Sequence, residues 1–196
     1  MKFLIPLFAI SFSLNSLAIN IGDKVSNFSL LGEDGKNYSL SDFKGKTVVL
    51  EWLNHGCPFV RKHYDSGNMQ KTQKLAASKN MIWLSINSSA EGKQGHVNTE
   101  GAKEEMQKYK SMALHTLLDH SGKVGKMFEA QTTPHMYIID SQGVLVYQGA
   151  IDSVRSTDQD DIPSATNYVA KAINEISEGK AVSQAKTKAY GCSVKY

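Results

Sequence analysis

The chain has 196 residues and a formal net charge of +3, from 22 lysines and arginines against 19 acids. Its length is enough to bury an ordinary single-domain core without staples. Its lysines are spread along the chain rather than clustered, which argues against nucleic-acid binding.

Met1-Lys2 leads into an apolar run, Phe3 to Leu17 with a few serines, too short to span a bilayer comfortably. Ser16-Leu17-Ala18 places small residues at both positions a signal peptidase reads, so residues 1–18 are expected to be a cleaved export signal. An uncleaved anchor is the lesser alternative, because no basic stop-transfer cluster follows. Removing the signal takes away one lysine and no acid, lowering the net charge from +3 to +2. No other stretch is long and apolar enough to cross a membrane, so a periplasmic or secreted protein with no membrane contact is expected. Residues 19–178 read as one domain and residues 179–196 as a polar tail.

Asn27-Phe28-Ser29-Leu30 and Asn37-Tyr38-Ser39-Leu40 flank the turn-rich "GEDG" and predict a hairpin. Thr47 to Leu53 is short and β-rich, as a buried central strand would be. Pro58 suits the first position of a helix, where its missing N–H costs nothing. That helix continues through Val60 and Tyr64, is interrupted at 65–67, and restarts to about Lys79. Residues 81–87 predict a second buried strand, 88–99 a loop, 100–112 a helix, 114–119 a short edge segment and 124–130 a short helix. Residues 136–140 and 144–147 form a hairpin about Ser141-Gln142-Gly143, and 165–178 a helix ended by Gly179. The order predicts a parallel first half, through right-handed βαβ crossovers, with an antiparallel hairpin added to the same sheet.

The chain has only two cysteines, Cys57 and Cys192. In an exported protein an even pair suggests a disulfide, permanent or transient. Cys57 falls at the C-terminal end of a parallel strand and the first turn of a helix, where open α/β sheets bind ligands. Unpaired helix N–H groups favour its thiolate, and Arg61 and Lys62 one turn on add positive charge. Position alone weighs a reactive sulfur and an inert buried one about evenly; Pro58 and the basic turn tip the balance towards reactive.

The pieces "NHGCPFVRKHY…GNMQK", "WLSINSS", "TTPHMYIID", "VYQGAID" and "GCSVKY" together resemble the thioredoxin-like superfamily. More narrowly they resemble its peroxiredoxin-like branch, related to alkyl hydroperoxide reductase and thiol-specific antioxidant proteins. The resemblance covers nearly all of the chain after residue 18. It implies an α/β thioredoxin-like fold with a central mixed sheet flanked by helices, and a thiol-dependent oxidoreductase. It places Cys57 at the nucleophile's position and Pro134, after Thr133, in the cis-proline loop that faces it. Asn54, His55, Thr133 and Pro134 are then the substrate-binding residues and Cys192 the resolving cysteine. The substrate would be a peroxide or a disulfide, and the reductant a thiol protein or a small thiol; no cofactor and no metal are implied.

The pattern departs from the family at three places. Val60 stands where thioredoxins carry a second cysteine, so dithiol exchange cannot be confined to this loop. Leu50 and Asn54 stand where peroxiredoxins carry proline and threonine, removing the hydroxyl that positions a peroxide and leaving Asn54 or His55 as donors. Arg155 aligns only weakly with a later peroxiredoxin arginine, and a solvated loop residue is the simpler reading. Two other readings stay open: a non-catalytic thioredoxin-like binding module with a structural Cys57–Cys192 bridge, and a metal-handling protein using Cys57 and His63 with His55 or His135. His63 is expected on the helix flank. The tail has few large apolar residues, so it is expected to be mobile.

Overall fold

A computed structural model describes residues 19–196; the expected export signal lies outside the described residues. Seven strands form one sheet: β1 (Ser29–Gly32), β2 (Asn37–Ser39), β3 (Val48–Trp52), β4 (Ile82–Asn87), β5 (His115–Leu118), β7 (His135–Ile139) and β8 (Leu145–Gly149). Their order is β2-β1-β5-β4-β3-β7-β8. Two short strands, β6 (Thr132–Thr133) and β9 (Cys192–Ser193), pair apart from it. The helices are α1 (Pro58–Asp65), α2 (Asn68–Ser78), α3 (Thr99–Lys108), α4 (Lys123–Met127) and α5 (Tyr168–Ser177).

The expected mixed sheet is present. β3 runs parallel to β4 and antiparallel to β7, and β7 forms the hairpin with β8. Residues 114–119 do not make an edge. β5 lies inside the sheet, parallel to β4 and antiparallel to β1, because the N-terminal hairpin adds beyond it. Side chains from that hairpin hold the seam: Glu33 Oε2 accepts from the Thr116 N–H at 2.9 Å, and Tyr38 stacks on His115 at 3.8 Å. The last helix starts at Tyr168 rather than 165, after a 3-10 segment at Gln159–Ser164, with Asn167 capping through a bond from the Ala170 N–H.

All five residues of β3 are buried, so each sheet face receives alternate side chains. Val48, Leu50 and Trp52 join the face covered by α4, where Trp52, Phe128 and Tyr137 pack with ring centroids 5.1–5.2 Å apart. Val49 and Leu53 join the face covered by α1, α2 and α5. Glu51 lies between them, with its carboxyl sealed inside. Among the described residues no helix is long and apolar enough to cross a membrane.

The tail is ordered, contrary to the expectation of mobility. Beyond α5 it runs beside β8, where the Gln148 N–H donates to the Ala185 carbonyl and the Thr187 N–H to the Gln148 carbonyl. It then crosses to β6, with Thr133 opposite Cys192 and Thr132 opposite Ser193. Composition had suggested too few apolar anchors, but single well-seated side chains suffice. Thr187 Oγ1 bonds Tyr147 Oη and the Ala150 N–H. Tyr196 lies against Gly122 and Gly125 and donates to the Ala130 carbonyl at 2.7 Å. A Cβ on Gly125 would stand 2.3 Å from the Tyr196 hydroxyl oxygen, so the glycine makes the seat.

Candidate active site

Cys57 is the N-cap of α1, with extended backbone and Pro58 at the first helical position. Its placement follows from β3: the strand ends at Trp52, and a tight turn brings the Cys57 N–H to the Asn54 carbonyl at 2.9 Å. The Thr133–Pro134 peptide is cis, as expected, and the Thr133 carbonyl oxygen lies 3.1 Å from Cys57 Sγ. Cys192 Sγ is 2.7 Å from Cys57 Sγ, with both cysteines unbridged. A disulfide bond is about 2 Å long, so a sub-ångström shift joins them. The chain thus brings together two cysteines 135 positions apart.

Two different environments meet at this sulfur pair. Burial pushes the Cys57 thiol up, but hydrogen bonds from the Cys192 side chain and from the Val60 and Cys192 backbones hold the net value below that of an ordinary thiol. Burial, and then the hydrogen bond to Cys57, push Cys192 up to about 11. The two thiols are thus pushed apart, Cys57 downwards and Cys192 upwards. The basic turn contributes less than its sequence suggests. Arg61 pairs with Asp65 at 3.2 Å, and Lys62 is buried on Asp152 at 3.6 Å and on the Val154 carbonyl at 3.0 Å. The lowering comes first from Cys192 on the tail and then from the Val60 backbone at the helix start, rather than from these cations.

The other expected substrate residues divide into two pairs. Thr133 and Pro134 form the wall against Cys57, and the buried Thr133 side chain helps to lower the Cys57 thiol. Asn54 and His55 lie behind the loop. Asn54 Oδ1 accepts from the Gly56 N–H at 2.8 Å, and its amide donates to Gln94 Oε1 at 2.9 Å. His55 stacks on Tyr109 at 4.0 Å, and burial, then the charge of Lys108, push it down to about 3.

Several residues at the site escaped the sequence reading. His63 is fully buried rather than on a helix flank. Its Nε2 lies 3.3 Å from Tyr190 Oη, and Tyr190 donates a very short hydrogen bond to Asp152 Oδ1. Lys62, His63, Asp152 and Tyr190 thus clasp the tail two residues before Cys192. Glu51, six residues before Cys57, accepts on Oε2 from Trp83 at 2.9 Å, Tyr64 and Ser85 at 3.1 Å each and Gln73 at 3.4 Å; Oε1 is buried without a partner. Burial raises its carboxyl from 4.5 to about 7 despite these donors. An acid within "VVLEWL", whose neighbours all read as core, was the available signal.

A strand–cysteine–helix unit facing a cis-proline loop, within this sheet order, defines a thioredoxin-like protein. Within that class the chain belongs to the Redoxin family, whose model matches residues 20–169. Among solved structures, an uncharacterized conserved protein from Geobacillus kaustophilus is similar at 23% identity, with a TM-score of 0.77 over 91% of this chain and 93% of that one. The thioredoxin domain of a thiol-disulfide oxidoreductase from Bacteroides vulgatus matches at 21% identity and a TM-score of 0.54, covering 75% of this chain and 97% of that one. Peroxidoxin BcpB from Mycobacterium tuberculosis matches at 16% identity and a TM-score of 0.57, covering 81% and 98%. At these identities the likeness shows the fold alone. No curated protein matches the chain in sequence.

Proposed function

We propose that this protein is an exported thiol oxidoreductase in which Cys57 attacks a peroxide or a disulfide and Cys192 resolves the product. With a peroxide, the Cys57 thiolate takes one oxygen, leaving an alcohol or water and a sulfenic acid; the Cys192 thiol then displaces water. With a disulfide, Cys57 displaces one thiolate to form a mixed disulfide, and Cys192 displaces the other. Both routes end at the same Cys57–Cys192 disulfide, which an external thiol reduces. The observation that carries this reading is the 2.7 Å sulfur pair, with the Cys57 thiol lowered and the Cys192 thiol raised. Thr133 and Pro134 would line the substrate's approach, with the Thr133 side chain beside the Cys57 sulfur. Asn54 and His55 would act indirectly by fixing the loop.

A non-catalytic module with a permanent bridge is supported less well. The tail has further seats through Thr187, Tyr190 and Tyr196, whose contacts involve neither sulfur. Export is supported by the leader-like residues 1–18 and by an even cysteine pair.

The test compares oxidant consumption by wild type and Cys57→Ser, with hydrogen peroxide and with oxidised glutathione, under excess dithiol. Loss of consumption in Cys57→Ser supports the proposal, and the oxidant that wild type consumes identifies the substrate class. Equal consumption by both proteins removes the redox assignment.

A further inference from the structure

Two histidines away from the sulfur pair face each other across neighbouring loops. His96 lies in the segment that follows β4, and His120 in the turn that follows β5. β4 and β5 are parallel, so both residues come to the carboxyl end of the sheet, where open α/β sheets bind ligands. The ring centroids are 4.3 Å apart, the planes are tilted by 47°, and both residues are partly exposed.

Backbone bonds fix which nitrogen of each ring is free. His96 Nδ1 lies 3.1 Å from the Ser89 carbonyl oxygen, and His120 Nε2 lies 2.9 Å from the Val97 carbonyl oxygen. A carbonyl oxygen only accepts, so each of these nitrogens carries a proton. In the neutral rings His96 Nε2 and His120 Nδ1 are then bare lone pairs, and no described residue bonds either one. An imidazole that spends its N–H on a backbone carbonyl is oriented and tautomerically set as metal-ligating histidines are. The two segments are also tied at their base. Ser88 Oγ donates to Asp119 Oδ2 at 2.7 Å, and the Gly125 N–H donates to the same oxygen at 2.8 Å.

We propose that His96 Nε2 and His120 Nδ1 together hold one divalent transition-metal ion of the copper or nickel type. The ring separation selects the ion. A ring centroid stands roughly 3.2 Å from a metal bound at about 2.1 Å, so centroids 4.3 Å apart subtend about 85° at a shared ion. That angle suits adjacent corners of a square-planar or octahedral ion and is narrower than a tetrahedral zinc site takes. Magnesium and calcium prefer oxygen ligands and do not compete. Among the described residues no three His, Cys, Asp or Glu side chains gather into a metal site, so water fills the remaining positions. The bound ion ties the loop of His96 to the end of β5. That loop also grips Asn54 through Gln94, and its Ala90 N–H donates to the Lys195 carbonyl at 2.8 Å. The site does not depend on the redox pairing proposed above.

The experiment titrates untagged, reduced protein with nickel ions, which do not oxidise thiols. It is followed by calorimetry and by NMR of the histidine ring C–H signals. The expected result is one bound nickel ion per chain, with the His96 and His120 signals broadened before those of the other histidines, and no response to magnesium. His96→Gln and His120→Gln should each weaken binding by at least about tenfold, whereas Cys57→Ser and Cys192→Ser should leave it unchanged. Should either histidine variant fail to fold, the order of broadening in wild type decides alone. Broadening that begins at other histidines overturns the proposal. So does the absence of saturable nickel binding, or binding that survives both histidine substitutions and disappears with a cysteine.

Discussion

The two cysteines are mounted in opposite ways. Cys57 stands at the end of a five-residue strand buried on both faces, and its backbone begins a helix that packs on the same core. Cys192 stands in a two-residue strand of a tail whose seats are single side chains: Thr187, Tyr190 and Tyr196. A sulfur fixed by the core can be tuned by helix N–H groups and closed off from solvent. A sulfur fixed by a strap keeps some exposure and can be withdrawn without unfolding the sheet. In the proposed scheme the reactive and resolving roles thus differ in how each sulfur is attached.

The largest expected effect removes the core-mounted sulfur. Cys57→Ser should reduce oxidant consumption to background, read as peroxide or disulfide loss under excess dithiol. Removing the strap-mounted sulfur should act differently. Cys192→Ser should leave the first turnover intact, accumulate a sulfenic acid or mixed disulfide on Cys57 detectable by mass, and stop recycling. The reduced Cys192→Ser protein should lose no more than about 1 kcal/mol of stability, since the strap is held by other contacts. Cys192→Ala should also raise the Cys57 thiol, because burial remains while a donor is lost; alkylation of Cys57 against pH reads that shift.

Smaller effects come from moving the strap without touching either sulfur. A Cβ on Gly191 would fall 2.0 Å from the Thr133 carbonyl oxygen, and its φ of 140° disfavours a side chain. Gly191→Ala should therefore break the β6–β9 register and slow disulfide formation by roughly tenfold to a hundredfold, with the first reaction of Cys57 preserved. Tyr190→Phe removes the hydroxyl between Asp152 and His63. It should cost about 1–3 kcal/mol of stability, because a buried carboxylate loses its closest donor.

The smallest effect on chemistry belongs to Glu51, whose signature is in stability. Its folded value of about 7 lies above the ordinary 4.5, so the native state holds a proton that the unfolded chain has released. Stability from this group is fully present below pH 4.5, falls as pH rises towards 7, and is lost above it. The loss is about 3 kcal/mol. Glu51→Gln keeps an acceptor for the four donors and should flatten this slope in chemical denaturation between pH 5 and 8.

The same contrast explains what the sequence made legible. β3, α1 and the β7–β8 hairpin are local patterns: a short apolar run, a proline at a helix start, a turn between two β-rich segments. The cysteine at the strand–helix junction was readable for that reason, and the proline that faces it through the family resemblance. The interior place of β5 was not, because it depends on a hairpin more than 70 residues away joining beyond it. Nor was the docking of the tail. Tyr190 and Tyr196 look like isolated aromatics in a polar stretch, and their seats lie on distant segments: Asp152 and His63 for one, Gly122 and Gly125 for the other. Lys62 misled in the same way, since its basic character is visible locally while its partner Asp152 is 90 positions on.

The proposed redox pairing requires one covalent event, and mass mapping of disulfides tests it directly. Reduced wild-type protein is treated with one equivalent of hydrogen peroxide or, in parallel, one equivalent of a small disulfide, then quenched in acid, digested without reductant and mapped. The predicted result is a peptide pair joined through Cys57 and Cys192 that is absent before treatment and disappears again on adding dithiol. A bridge already present that resists dithiol under native conditions, or oxidised protein with both cysteines still free, would contradict it.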